Sequence, residues 1–342
     1  MRSEDGWRQS KTFPDWRRSH PGPSRALSPD KSEYVAKETR DKVREVADKL
    51  GYKYSLAPKP DKNQLNFALI TTLSLKEETR DEYWRFVRRG VYEAAKSQNI
   101  SIKRVVRLDE GVEPNDFAAY DAVIVVGSLS KSAINAIKSF NPNVVLVDGG
   151  SDVDDVVDTV DTNLAQLTDK ALNEMTPHAQ TIGFIGGSRH EVNLDGSQGR
   201  IIDDARTLTY KTWCSINHHQ PIVKLTDWTT KQSMDATDDL LNEYGNQLDG
   251  LLVASDPLSI GVMKGLAKHH VVPGKNVKII SFDDLEFASY LTPSLTSIWL
   301  PKVELGYAAV LHAETLVKFP RDWHVRNIIP GKFHYRETFN PD

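Results

Sequence analysis

The 342-residue sequence has one cysteine, Cys214. That excludes an internal disulfide framework and any multi-cysteine zinc or iron–sulfur centre. No apolar run approaches the ~18 residues of a membrane span. The start of the chain, with Arg17, Arg18, Pro21 and Pro23, holds no apolar stretch of the secretory kind. The motifs of common enzyme classes are missing too: there is no Gly-x-Gly-x-x-Gly, P-loop, Gly-x-Ser-x-Gly or His-Glu-x-x-His. Gly183-Phe-Ile-Gly-Gly187 lacks the dinucleotide spacing and reads as a strand-end turn. His218-His219 and His269-His270 are adjacent pairs whose rings point in different directions, which does not suit a metal. Cys214, between Trp213 and Ser215 in a helical stretch, has no partner base and reads as an inert thiol. The expectation is a soluble, cytoplasmic, multi-domain protein that is not an enzyme, with no catalytic residue, no metal and no cofactor.

What is present is ordinary in bulk and uneven in detail. Hydrophobic residues make up 39% and charged residues 26%, as in a soluble globular protein. The net charge of -4 hides an asymmetry. Residues 1–62 hold 15 Lys and Arg against 10 Asp and Glu, and the remaining 280 residues hold 28 against 37. A basic end on an acidic body fits a nucleic-acid-binding arm or a solvated tail.

The chain also changes pattern at about residue 63. Pro14, Pro21, Gly22 and Pro23 break any helix in residues 1–23. Over 34–50, Val35, Thr39, Val43, Val46, Ala47 and Leu50 form one apolar stripe, and Gly51 stands where a C-terminal cap is wanted. Leu56–Lys62, with Pro58 and Pro60, reads as a linker. Beyond it strands and helices alternate. Strands are expected at 67–71, 102–106, 122–127, 144–147, 181–185, 250–254 and 277–281. Helices are expected at 83–98, 130–139, 203–217, 231–245 and 258–269. Alternation means parallel sheets covered on both faces, and the theme runs twice, so two open α/β lobes should flank a cleft. Ligands of such sheets bind outside the carboxyl ends of the strands.

Those ends are polar. Thr71 and Thr72, Asp148, Ser255 and Asp256, and Asp283 and Asp284 each follow a strand. Carboxylates there can accept from sugar hydroxyls, and an arginine can fork two of them; equally, each aspartate can cap the helix that follows.

These residues resemble the lactose/galactose-repressor family of bacterial transcription regulators, in order as well as content, over about 34–342. Glu38-Thr-Arg40, Val43 and Leu50-Gly-Tyr52 look like the last helix of the family's DNA-binding headpiece. Ile182–Gly187 followed by Asp204-Ala-Arg206 and Tyr210, then Val253–Gly261, Ile280–Asp284 and Pro293–Ile298, complete the likeness. The Asp-x-Arg spacing and the surroundings of Tyr83 are most similar to galactose- and β-galactoside-responsive repressors. The resemblance implies a cytoplasmic homodimer with a helix-turn-helix that reads operator DNA, no membrane partner, and a small sugar effector held between the lobes. The implied fold is a two-lobed periplasmic-binding-protein-like core, two open parallel-sheet subdomains, behind a small, degenerate α-helical headpiece. Residues 1–62 would form headpiece and linker, and 63–342 the effector and dimerisation core. The first lobe would comprise 63–161 and 294–322, the second 162–293 and 323–342, with crossovers near 162, 293 and 322. Implied effector residues are Thr72, Tyr83, Asp148, Arg206, Trp228, Ser255, Asp256 and Asp283; Trp228 would stack on a sugar face or serve as a core tryptophan. Implied DNA contacts are Ser24, Arg25 and the hinge residue Leu56.

The sequence departs from the family pattern in three places. Ser255 stands where many members have Asn, and Leu300 where the lactose type has Gln. In the headpiece only Ser24-Arg-Ala-Leu27 matches the end of a recognition helix; Pro21 and Pro23 fall within that helix, where each costs ~3 kcal/mol. Readout needs a packed recognition helix, so weak, salt-sensitive and nearly sequence-blind DNA binding is expected.

Overall fold

A computed structural model of the chain describes residues 26–27, 35–52, 64–150, 153 and 155–342, apart from the Glu110 side chain. The chain divides into one unit up to Gln64 and another from Leu65 to Asp342.

In the first unit, helix α1 spans Lys37–Lys49. Its end follows from Gly51, whose φ of 64° is the left-handed conformation that suits glycine. Gly51 N–H donates to Asp48 O (3.0 Å) and Tyr52 N–H to Ala47 O (2.9 Å), the paired bonds that satisfy the last carbonyls of a helix.

The second unit runs β1 (Asn66–Thr71), α2 (Leu75–Arg80), α3 (Glu82–Ser97), β2 (Ser101–Arg107), β3 (Ala122–Val126), α4 (Lys131–Lys138), β4 (Val144–Val147) and β5 (Asp158–Asp161). It continues with α5 (Leu164–Met175), β6 (Ile182–Gly187), β7 (Arg189–Val192), β8 (Gln198–Ile202), α6 (Ala205–Ile216), β9 (Val223–Thr226), α7 (Thr230–Tyr244), β10 (Gly250–Val253) and α8 (Asp256–Lys268). It ends with β11 (Lys278–Asp283), β12 (Thr296–Trp299), α9 (Lys302–Lys318), β13 (Arg326–Ile328) and β14 (Lys332–His334).

The first sheet has the order β13-β5-β4-β3-β1-β2, all parallel. The second has the order β14-β12-β11-β10-β6-β9, parallel except for β14. Both faces of the first sheet are covered, which explains its unbroken Val/Ile runs. Along β1, Phe67 and Leu69 pack with Val87, Val91 and Ala94 of α3 and Leu305 and Ala309 of α9, whereas Ala68 and Ile70 pack with Ala133, Ile134 and Ile137 of α4. This is the two-residue period of a strand with a helix layer on each side. Helices α3 and α9 cross at a glycine contact: a Cβ on Gly306 would lie 1.9 Å from Val87 O, and one on Gly90 1.9 Å from Val303 O. The cluster that holds these residues continues into the second lobe through Phe184, Tyr210, Leu252 and Ile280.

The chain passes between the sheets at 162–163, 300–301 and 329–331. The boundaries expected at 293 and 322 are therefore corrected. β12 stays with the second sheet and carries that lobe to Trp299, and β13 belongs to the first sheet rather than to a second-lobe segment 323–342. Pro293 sits in the loop before β12, within the second lobe. The sequence reading also passed over α2, α5, α9, β5, the β7–β8 hairpin, β9 and β12–β14. Among the described residues no helix is long and apolar enough to cross a membrane.

Candidate functional site

The carboxyl ends of both sheets open onto one cleft of about 200 Å³. At roughly 10–15 Å³ per water-sized group it has room for one or two sugar rings. From the first sheet, Thr72 follows β1, Ser128 lies two residues beyond β3, and Asp148 follows β4. From the second, Ser188 follows β6, Trp228 lies two residues beyond β9, Ser255 two residues beyond β10, and Asp283 ends β11. Tyr83, in the first turn of α3, and Arg206, in the first turn of α6, complete the wall. Asp148, Trp228 and Asp283 have φ of 50°, 61° and 102°, conformations that L-residues adopt at a cost. The backbone bends against its preference where it presents these three side chains to the cleft.

Arg206 is the fixed cation of the site. Its Nε and Nη2 donate to the two oxygens of Asp204 at 2.7 and 2.8 Å, and its Nη1 donates to Ala254 O at 2.5 Å. Asp204 is itself the N-cap of α6. A guanidinium has five N–H groups, so one N–H on each terminal nitrogen remains for a ligand. Burial works against the Asp204 charge, yet Arg206 and then Arg189 outweigh it and hold the carboxyl down at about 2.

The other carboxyls behave differently. Burial pushes Asp148 up, against the pull of Arg189 and Arg206. Burial, with Asp81 and Asp256 nearby, pushes Asp283 well up despite Arg206 and Lys302. Lys302 Nζ donates to Asp283 O. Burial first, then the Asp148 charge, raises the Tyr83 phenol well above its ordinary value. Carboxylate oxygens accept hydrogen bonds, which suits the hydroxyl groups of a sugar.

Trp228 lines the cleft and also packs against two of the apolar clusters. Its Nε1 donates to Ser188 O at 2.8 Å, which satisfies the only polar atom of the ring. Gly187 lets the indole lie on β6: a Cβ there would meet the ring at 2.3 Å. The Arg206 guanidinium lies 5.3 Å from the ring centroid.

Residues 177–339 match the periplasmic binding protein-like domain. Over 294 residues the chain is 28% identical to the HTH-type transcriptional regulator GanR of Bacillus subtilis (strain 168), covering 84% of this chain and 86% of that protein. Both matches are to proteins of the lactose/galactose-repressor type, to which this chain is similar. Two solved structures share its fold. The transcriptional regulator CelR–cellobiose complex has a TM-score of 0.67 at 17% identity, covering 92% of this chain and 94% of that one. The Lac repressor bound to ONPG in the repressed state has a TM-score of 0.69 at 18% identity, covering 89% and 92%.

Seven of the eight expected effector residues line the cleft: Thr72, Tyr83, Asp148, Arg206, Trp228, Ser255 and Asp283. Asp256 does not. It is fully buried; its Oδ2 accepts from Leu285 N–H and its Oδ1 from Ser297 Oγ, both at 2.7 Å. Burial raises its carboxyl to about 7 against those bonds. Ser255 ends the extended chain and faces the cleft, whereas Asp256 opens α8 and turns away. Sequence alone did not separate two adjacent polar residues. Ser24, Arg25 and Leu56 lie outside the described residues. The sequence reading missed Asp81, Trp84, Ser128 and Arg189 in the cleft, and did not assign Asp204 although it stands in the quoted Asp-x-Arg motif.

Proposed function

We propose that the chain is a sugar-responsive DNA-binding repressor that binds a galactoside or a related neutral sugar between its two lobes and acts as a homodimer. The observation that carries this is the Arg206–Asp204 pair beside the Trp228 indole, in a cleft that the Asp148 and Asp283 carboxyls also line. Thr72, Tyr83, Asp148, Trp228, Ser255 and Asp283 share the work: hydroxyls and carboxyls pair with the sugar's hydroxyls, and Trp228 covers an apolar face. The cellobiose held by one neighbour of the fold supports the ligand class. No turnover of the sugar is proposed. Because the cleft lies between lobes, a sugar that prefers one lobe angle shifts the chain toward it, by as much as its affinities for the two states differ.

Calorimetry with lactose and methyl β-galactoside tests this. Arg206→Ala should weaken binding by about 1.5–3 kcal/mol, the value of a hydrogen-bonded charged partner. Unchanged affinity would remove Arg206 from the site, and no binding of any neutral sugar by the wild-type chain would refute the reading. A second reading, a sugar-binding protein without specific DNA binding, is favoured by Pro21 and Pro23 in the headpiece segment. Operator titrations decide between the two.

A further inference from the structure

The β7–β8 hairpin has a place in the structure that the sugar site alone does not explain. It interrupts the second lobe between β6 and α6, yet its far end is built into the first. Val192 N–H donates to Ser128 O and Ser130 N–H to Val192 O, each at 3.0 Å, and Val112 N–H donates to Leu194 O at 2.8 Å. The side chains of Val192 and Leu194 pack against the cluster of Leu108, Phe117 and Leu129 in the first lobe. At its near end, Arg189 Nη2 donates to Ser128 Oγ (2.9 Å) and to Asp148 O (2.8 Å), both first-lobe atoms.

The rest of the Arg189 guanidinium faces the cleft. Its Nη1 lies 4.0 Å from Asp148 Oδ1 and 3.7 Å from Asp204 Oδ2, close enough for charge attraction and too far for a hydrogen bond. Among the described residues, Nη1 and Nε donate to no atom within hydrogen-bond distance. An oxygen placed there can accept from Nη1 and, if it carries a proton, donate to Asp148. A hydroxyl does both; a carboxylate or phosphate only accepts, and it would meet two carboxylates.

We propose that the hairpin Arg189–Ile202 is a strap across the lobes, and that Arg189 selects a neutral hydroxyl of the effector while the strap is fastened. The ligand class rests on the reading of the cleft as a sugar site; the strap does not. Opening the lobes breaks the bonds at Ser128, Ser130 and Val112, strips Val192 and Leu194 from their apolar bed, and withdraws Arg189 from Asp148. A sugar gripped by Arg189 therefore binds the fastened state and slows its opening.

Two variants of the full chain test this. Arg189→Met removes the donors and keeps the apolar stem. Leu194→Ser loosens the anchor at a residue that does not line the cleft. Arg189→Met should weaken galactose binding about tenfold or more, as for loss of a charged donor. Leu194→Ser should speed galactose release severalfold, and galacturonate should bind the wild-type chain much more weakly than galactose. In the sugar-free chain, hydrogen exchange at Ser130 and Val192 should quicken in both variants, while β10 and β11 remain as protected as in wild type and report an intact fold. Wild-type affinity in Arg189→Met overturns the role of Arg189, as does equal binding of galactose and galacturonate. Unchanged exchange at Ser130 and Val192 in both variants overturns the strap. If no sugar binds the wild-type chain, the sugar reading fails, and the exchange result still decides for or against the strap.

Discussion

Asp204→Ala isolates the interaction on which the cleft depends. Asp204 is 3% and Arg206 7% exposed, and two parallel bonds join them. Deleting the carboxylate leaves a buried guanidinium with Ala254 O as its remaining hydrogen-bond partner. Breaking one side of a buried pair costs about 3–5 kcal/mol, because the other charge stays buried without compensation. Acid titration gives a second measure. The Asp204 carboxyl stands at about 2 in the fold and near ~3.9 in the open chain. That gap corresponds to about 2–3 kcal/mol, present above pH ~4 and lost as the pH falls toward 2. The acid figure is smaller for a physical reason: a protonated carboxyl still offers Arg206 an acceptor, and alanine offers none. Urea unfolding followed by tryptophan fluorescence at pH 7 should show the larger loss, and the variant should decline less than the wild type between pH 4 and 2, other paired carboxylates keeping part of the slope. A loss under about 1 kcal/mol at pH 7, the value of an exposed pair, would refute the argument that burial makes this pair structural.

Asp256→Asn should flatten the pH dependence of stability on the alkaline side. With the Asp256 carboxyl raised to about 7 in the fold, the wild-type chain loses stability as the pH rises from ~4 to 7, so thermal melts at pH 5 and pH 8 should differ less in the variant; an unchanged difference counts against this. Gly306→Ala should lower the melting temperature through about 1–3 kcal/mol of overpacking between α3 and α9, and a melt equal to wild type would mean that the helices separate freely. Fluorescence anisotropy at physiological salt separates the two readings: DNA binding by the full chain that falls steeply with salt and barely distinguishes an operator from random sequence is the outcome if specific DNA binding is lost. Tight operator-specific binding released by sugar would show that the N-terminal segment reads DNA despite its prolines.

The runs Ala122–Val126 and Val144–Val147 announced buried parallel strands because both faces of such strands must be apolar, and Gly51 announced the end of α1 because the cap needs a positive φ. The second crossover was less visible. Thr296–Trp299, Arg326–Ile328 and Lys332–His334 are strands of four residues or fewer, too short for periodicity to register, and their sheet is chosen by neighbours distant in sequence.

The site divides along the same line. The sequence by itself determined that polar residues end the strands, and the Asp204-Ala-Arg206 spacing with its family resemblance pointed to Arg206, because an N-cap and a residue two positions on lie on the same turn. Only the tertiary structure decided that Ser255 faces the cleft while Asp256 is sealed behind it, since the turn from strand to helix sets their directions. It alone brought Arg189 to Ser128 and Asp148 across 61 and 41 residues of chain. Local pattern reports which residues can be buried or capped; which distant groups meet depends on how the two sheets close on each other, and no short-range signal carries that.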